Sequence, residues 1–139
     1  MMMNETITGG CLCGAVRFAC SGKPGPAVYC HCADCRKGSG SAFHVGVPFS
    51  AKSFEIVSGT PKGFTKRADS GRELTRYFCP DCGSPLYITS ASRPEWIFAK
   101  AGALDDPERV KPTSQIWTRS SVAWSTIKKG LPSFEKGRN

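Results

Sequence analysis

Apolar and polar residues alternate with a period of two along much of this chain, the mark of strands with one buried face. Residues 15–20 place Val16, Phe18 and Cys20 on one side. Residues 41–49 alternate more clearly, with Phe43, Val45, Val47 and Phe49 sharing a face. Residues 54–57 read as a further strand, closed by Ser58-Gly59. Residues 64–67 and 73–78 flank Ala68-Asp69-Ser70-Gly71, a hairpin signature. Residues 86–89 and 96–101 continue the series. Asp105-Asp106-Pro107 predicts a turn or a one-turn helix start. Residues 121–129 predict a short helix, stopped by Gly130 ahead of Pro132. The expected fold is mainly β, built of small antiparallel sheets with turn-borne cysteines and a short C-terminal helix.

Composition sharpens this picture. The 139 residues suit one domain, expected over residues 1–139 with a partly disordered start at 1–8. Leu, Ile, Val and Phe together make up about a fifth of the chain, a thin supply for a hydrophobic core. Fifteen Gly and ten Pro argue against a helical bundle. A thin core needs cross-links or metals, and eight cysteines are the available means. No apolar run is long enough to cross a membrane, and the first residues lack the pattern of a secretory signal. The expected compartment is the cytoplasm. The formal charge of +8 stays positive even after several thiolates and two dications are counted, but the Lys and Arg are scattered. Charge alone therefore selects no partner.

Seven of the cysteines fall into three clusters: Cys11-Leu12-Cys13, Cys30-His31-Cys32-Ala33-Asp34-Cys35, and Cys79-Pro80-Asp81-Cys82-Gly83. In extended chain a one-residue gap puts both side chains on one face, where they can meet one ion. The C-P-x-C-G turn aims both sulfurs inward, and its glycine lets backbone N–H groups point at the thiolates. Clustered soft sulfur ligands in a cytosolic chain point to tetrahedral Zn²⁺. A disulfide framework fits poorly without a secretion signal, because cysteines one residue apart do not easily bond each other. A thioredoxin-type redox pair would need a βαβ unit, which the pattern lacks.

Three ligands within six residues let Cys30, Cys32 and Cys35 hold one ion by themselves. Cys11 and Cys13 then pair with Cys79 and Cys82 as a closed four-sulfur site whose role is structural. The three-cysteine site keeps a fourth position open, the arrangement of reactive zinc. Cys20 shares a face with Val16 and Phe18 and is expected in the core. His31 points away from the ion if the strand geometry holds. His44 is either exposed or lines the site. Asp34 is expected to hold its turn through the backbone.

The segments Gly10-Cys11-x-Cys13-Gly14, Cys30-His31-Cys32-x-x-Cys35-Arg36-Lys37 and Phe78-Cys79-x-x-Cys82-Gly83 resemble the glutathione-dependent formaldehyde-activating enzyme family. Gly102-x-Leu104-Asp105-Asp106-Pro107, Ile116-Trp117 and Leu131-Pro132-x-Phe134 support the likeness. The resemblance implies an Mss4-like fold around two zinc ions per chain. It places a structural ion on Cys11, Cys13, Cys79 and Cys82, and a reactive one on Cys30, Cys32 and Cys35. It also implies condensation of glutathione with formaldehyde, a carbon–sulfur lyase reaction in reverse. Arg36 and Lys37, beside the second site, are candidate partners for glutathione carboxylates, with His44 as a further substrate contact. The rival class is a non-catalytic zinc module that binds protein or nucleic acid. The absence of a basic–aromatic stripe argues against nucleic acid.

Overall fold

The computed structural model describes residues 6–127 and 129–137. Ten strands and one seven-residue α-helix account for its regular structure, joined by single 3₁₀ turns. In chain order the strands are β1 (Ile7–Gly10), β2 (Arg17–Cys20), β3 (Ala27–Cys30), β4 (His44–Ser50), β5 (Phe54–Ser58), β6 (Lys62–Arg67), β7 (Glu73–Phe78), β8 (Pro85–Ser90), β9 (Trp96–Lys100) and β10 (Pro112–Ile116). Helix α1 spans Ala33–Ser39, between β3 and β4. A three-stranded sheet runs β1-β2-β5, and a seven-stranded sheet runs β10-β3-β4-β9-β8-β7-β6. Every pairing is antiparallel except that of β10 with β3.

The alternation in the sequence becomes the two faces of the large sheet. Val47, Ala99 and Tyr87 stand in register on one face. That face meets the small sheet through a chain of rings: Phe18–Phe54 at 5.3 Å, Phe54–Tyr87 at 4.7 Å and Tyr87–Tyr77 at 4.6 Å between centroids. Phe18, Phe49, Val16, Val47 and Leu86 are fully buried there. Burying such side chains stabilises by roughly 1.5–3 kcal/mol each. The opposite face carries Cys30, His44, Lys100 and Arg76, and α1 packs near it, with Gly38 close against the Arg76 side chain. Hydrophobic packing holds one face and chemistry occupies the other.

One expectation is corrected. The helix anticipated over residues 121–129 does not form among its described residues, which turn at positions 123 and 124 instead. Trp124 is exposed and Val122 and Ile127 are only half-buried, so tertiary packing supplies no face to hold so short a helix. The chain beyond it hydrogen-bonds along β10, with Phe134 N–H donating to the Gln115 carbonyl at 3.0 Å. Helix α1 is not among the expected elements; it stands where the sequence predicts a turn around Asp34. β1 starts at Ile7, inside the stretch expected to be loose; residues 1–5 lie outside the described residues.

Candidate metal centre

Cys11, Cys13, Cys79 and Cys82 bring four sulfurs within 4.8 Å of one another, although 66 residues separate Cys13 from Cys79. A tetrahedral Zn²⁺ with Zn–S near 2.3 Å spaces its sulfurs about 3.8 Å apart. The observed Cys11–Cys13 and Cys13–Cys79 separations are 3.7 and 3.8 Å. The donor set fits the ion in both type and size. Two matching knuckles build it. Gly14 and Gly83 follow the second cysteine of each pair at φ of 84° and 79°, a conformation that suits glycine. Their turns aim backbone N–H groups at sulfur: Val16 donates to Cys11 Sγ at 3.2 Å and Asp81 to Cys79 Sγ at 3.4 Å. Ser84 ties the knuckles together, accepting from the Leu12 N–H at 3.0 Å and lying 3.2 Å from Cys82 Sγ. That hydroxyl contact pulls the Cys82 thiol down to about 5, and the Val16 N–H lowers that of Cys11. Prearranged donors of this kind favour thiolates ready for a cation.

Cys30, Cys32 and Cys35 form the second group, also within 4.8 Å, with Cys30 and Cys32 sulfurs 3.6 Å apart. β3 ends at Cys30, and Cys32 then caps α1, its sulfur accepting from the Cys35 N–H at 3.3 Å. The helix start therefore replaces the side-chain oxygen of an ordinary cap with a cysteine sulfur. Hydrogen bonds from Cys30 and Cys35 pull Cys32 down to about 2, while Cys30 is pushed up by the same neighbours and by burial. Three sulfurs this close resist ionising together unless a cation lies among them. Among the described residues no fourth His, Cys, Asp or Glu joins this group. His31 is turned away, its Nε2 2.8 Å from Gln115 Oε1 on β10. Cys20 is fully buried among apolar neighbours, and burial pushes its thiol up to about 12.

The charged surroundings differ from those anticipated beside the sequence motif. Lys37 is exposed and Arg36 lies in the last turn of α1; neither lines the cavity that His44 and Lys100 reach. Asp34 pairs with Lys66 at 2.9 Å, reaching across to β6 instead of closing its own turn. The cations in the electrostatic field of the three sulfurs are Arg76 and Lys100. Arg76 Nε and Nη2 are buried without a hydrogen-bond partner. Lys100 Nζ lies 3.0 Å from His44 Nδ1, and both residues are buried. Desolvation and the Lys100 charge hold His44 down to about 3, so its ring stays neutral and accepts from the ammonium. Alternation had already flagged His44 as a residue off the core face. Arg76 and Lys100 gave no signal, because a basic residue in a strand reads as solvated surface.

His44 and Lys100 reach the wall of a cavity of about 590 Å³, bounded also by the turn after β1 and the turn after β9. Cys11, Leu12, Phe43 and Asp105 also line it. Arg17 forks onto Asp105 at its rim, holding that carboxyl down to about 2, with Thr8 donating to the same group at 2.6 Å. Cys30, Cys32 and Cys35 do not line this cavity; Cys30 pairs across the sheet with His44, which does.

Two sheets joined by the four-cysteine cluster, with a second cluster of three at the start of α1, define a small β protein with two candidate metal centres. The profile described as glutathione-dependent formaldehyde-activating enzyme matches residues 6–120, and the chain belongs to that family. A protein of Halomonas elongata, provisionally named glutathione-dependent formaldehyde-activating enzyme, is 33% identical over 119 residues, covering 75% of this chain and 72% of its own. A crystal structure of a Rhodobacter sphaeroides protein superposes with a TM-score of 0.55 at 20% identity, covering 70% of this chain and 87% of that one. That likeness supports the fold.

Proposed function

We propose that this protein binds two zinc ions and catalyses reversible addition of a thiol, glutathione or a close relative, to formaldehyde or another small aldehyde. In the reverse direction this is carbon–sulfur lyase chemistry. Cys11, Cys13, Cys79 and Cys82 hold the closed ion that ties the N-terminal knuckle to the middle of the chain. Cys30, Cys32 and Cys35 hold the open one. The observation that carries this reading is the difference between the groups: four sulfurs in one, three in the other. Cys30, Cys32 and Cys35 would hold an ion with a fourth position free, and that ion would supply a lowered pKa to a thiol bound there. The chain's own groups do the rest. Helix α1 fixes two of the three sulfurs through its first turn. Arg76 and Lys100 offset the negative charge of a trithiolate. The cavity beside them has room for a tripeptide-sized ligand.

The test replaces zinc with Co²⁺ and titrates glutathione while the sulfur-to-cobalt charge-transfer band is followed. The band strengthens in the parent and not in Cys32→Ser. An unchanged band at millimolar glutathione would leave a structural zinc protein. A steep loss of nucleic-acid binding with rising salt would favour the non-catalytic module instead.

A further inference from the structure

Lys100 occupies an unusual position. It is 8% exposed, at the end of β9, and lines the cavity bounded by the turns after β1 and β9. An ammonium has three donors. Here the described contacts account for one, to His44 Nδ1 at 3.0 Å, and no carboxylate among the described residues pairs with it. A buried ammonium is costly unless something compensates it. The three sulfurs supply opposite charge, and the cavity it lines supplies room for an oxygen acceptor. His44 does not neutralise it, because a neutral imidazole only orients the amine. The neighbouring Arg76 adds a second positive charge to the same side of the sheet. The arrangement is a donor oriented by His44 that lines a cavity and feels the charge of a sulfur cluster.

We propose that Lys100 is a catalytic residue that binds the oxygen of the aldehyde carbon, with His44 as the positioning residue that aims it. This rests on the thiol–aldehyde reading above and names the group that meets the electrophile. In the forward step the thiolate sulfur forms the C–S bond and the carbonyl π pair moves onto oxygen. The Lys100 ammonium stabilises that oxygen, gives it a proton and regains one from water. The thiol's own proton has already left to solvent, so the sum is thiol plus aldehyde to hydroxyalkyl thioether. In the reverse step the same amine takes the hydroxyl proton as the C–S bond breaks. Removing one such donor lowers turnover by about 100-fold or more where charge develops on oxygen.

The experiment uses the zinc-loaded protein, Lys100→Met and Lys100→Arg, with zinc content and melting temperature measured on each. Turnover is followed by exchange NMR with glutathione and formaldehyde. A second readout is the line broadening of ¹³C-formate, a one-carbon oxyanion that reports the oxygen site without turnover. The expected result is a kcat about 100-fold lower in Lys100→Met, with KM for glutathione within twofold. Formate broadening is lost in Lys100→Met, and Lys100→Arg recovers part of both. A Lys100→Met kcat within threefold of the parent, or undiminished formate broadening, overturns the proposal. A parent without turnover sinks the thiol–aldehyde reading, and formate then decides the Lys100 oxygen site alone. If Lys100→Met does not fold, the same readouts on Lys100→Gln decide in its place.

Discussion

Gly46 stands directly across the sheet from Lys100, and the His44 ring lies in the space a side chain at position 46 would take. A Cβ there would sit 3.1 Å from His44 Nε2 and 3.2 Å from Cε1. The missing side chain lets the imidazole lie flat along β4 and meet the amine of β9.

Gly46→Ala should therefore disturb the His44–Lys100 contact. The ring must shift by a few tenths of an ångström against a packed sheet, costing about 1–3 kcal/mol. Urea unfolding measures the cost, and the His44 ¹⁵N resonances report the lost hydrogen bond. Unchanged imidazole resonances would mean that Gly46 does not shape this contact.

The two cysteine groups should respond differently to substitution. Cys79 is fully buried and joins two knuckles far apart in sequence. Cys79→Ser should lower stability by several kcal/mol or prevent folding, since metal binding and folding are coupled there. Cys32→Ser should reduce the zinc content from two ions to one and leave the fold largely standing. Atomic absorption and thermal melting separate the two. A Cys79→Ser variant that melts like the parent would remove the structural role from the four-sulfur group.

The strands with strict alternation were legible in the sequence, because one buried and one solvated face print a period of two. The hairpin of β6 and β7 followed from its Asp-Ser-Gly turn. β1, β3 and β10 were not legible. Gly9 and Gly10 give β1 no strand propensity, and β3 has four residues behind a Pro-Gly-Pro run. β10 joins β3 in parallel from more than 80 residues away, a pairing that alternation cannot encode. Helix α1 escaped notice because its residues are polar apart from Ala33 and Cys35, and a sulfur supplies its cap. The seven clustered cysteines were legible because ligand spacing is local. Lys100 and Arg76 were not, since only the three-dimensional register brings them into the field of those sulfurs.

Cys20 tests that distinction between ligand and core. It is the eighth cysteine, fully buried, with a thiol raised to about 12 by burial alone. Cys20→Ala should leave the zinc content unchanged and cost about 1 kcal/mol in packing. Loss of one zinc on this change would mean that Cys20 closes the second site, and the open position would vanish with it.

The last prediction concerns acid. Burial, then the Lys100 charge, holds folded His44 at about 3, against 6.5 for an exposed histidine. Between those values the unfolded chain binds a proton that the folded chain refuses. The contribution of His44 to stability is therefore complete above about pH 6.5 and is lost as pH falls towards 3. The slope approaches about 1.4 kcal/mol per pH unit. His44→Gln keeps an acceptor for Lys100 and has nothing to titrate in this range. Zinc release in acid affects both proteins, so the difference between their urea-unfolding free energies isolates the imidazole. From pH 7.5 down to roughly 5 the parent should lose stability faster than the variant, the gap widening by about one proton's worth per unit. Parallel curves would show that His44 takes up its proton in the folded state as readily as in the unfolded one, and the neutral acceptor assigned to Lys100 would be wrong.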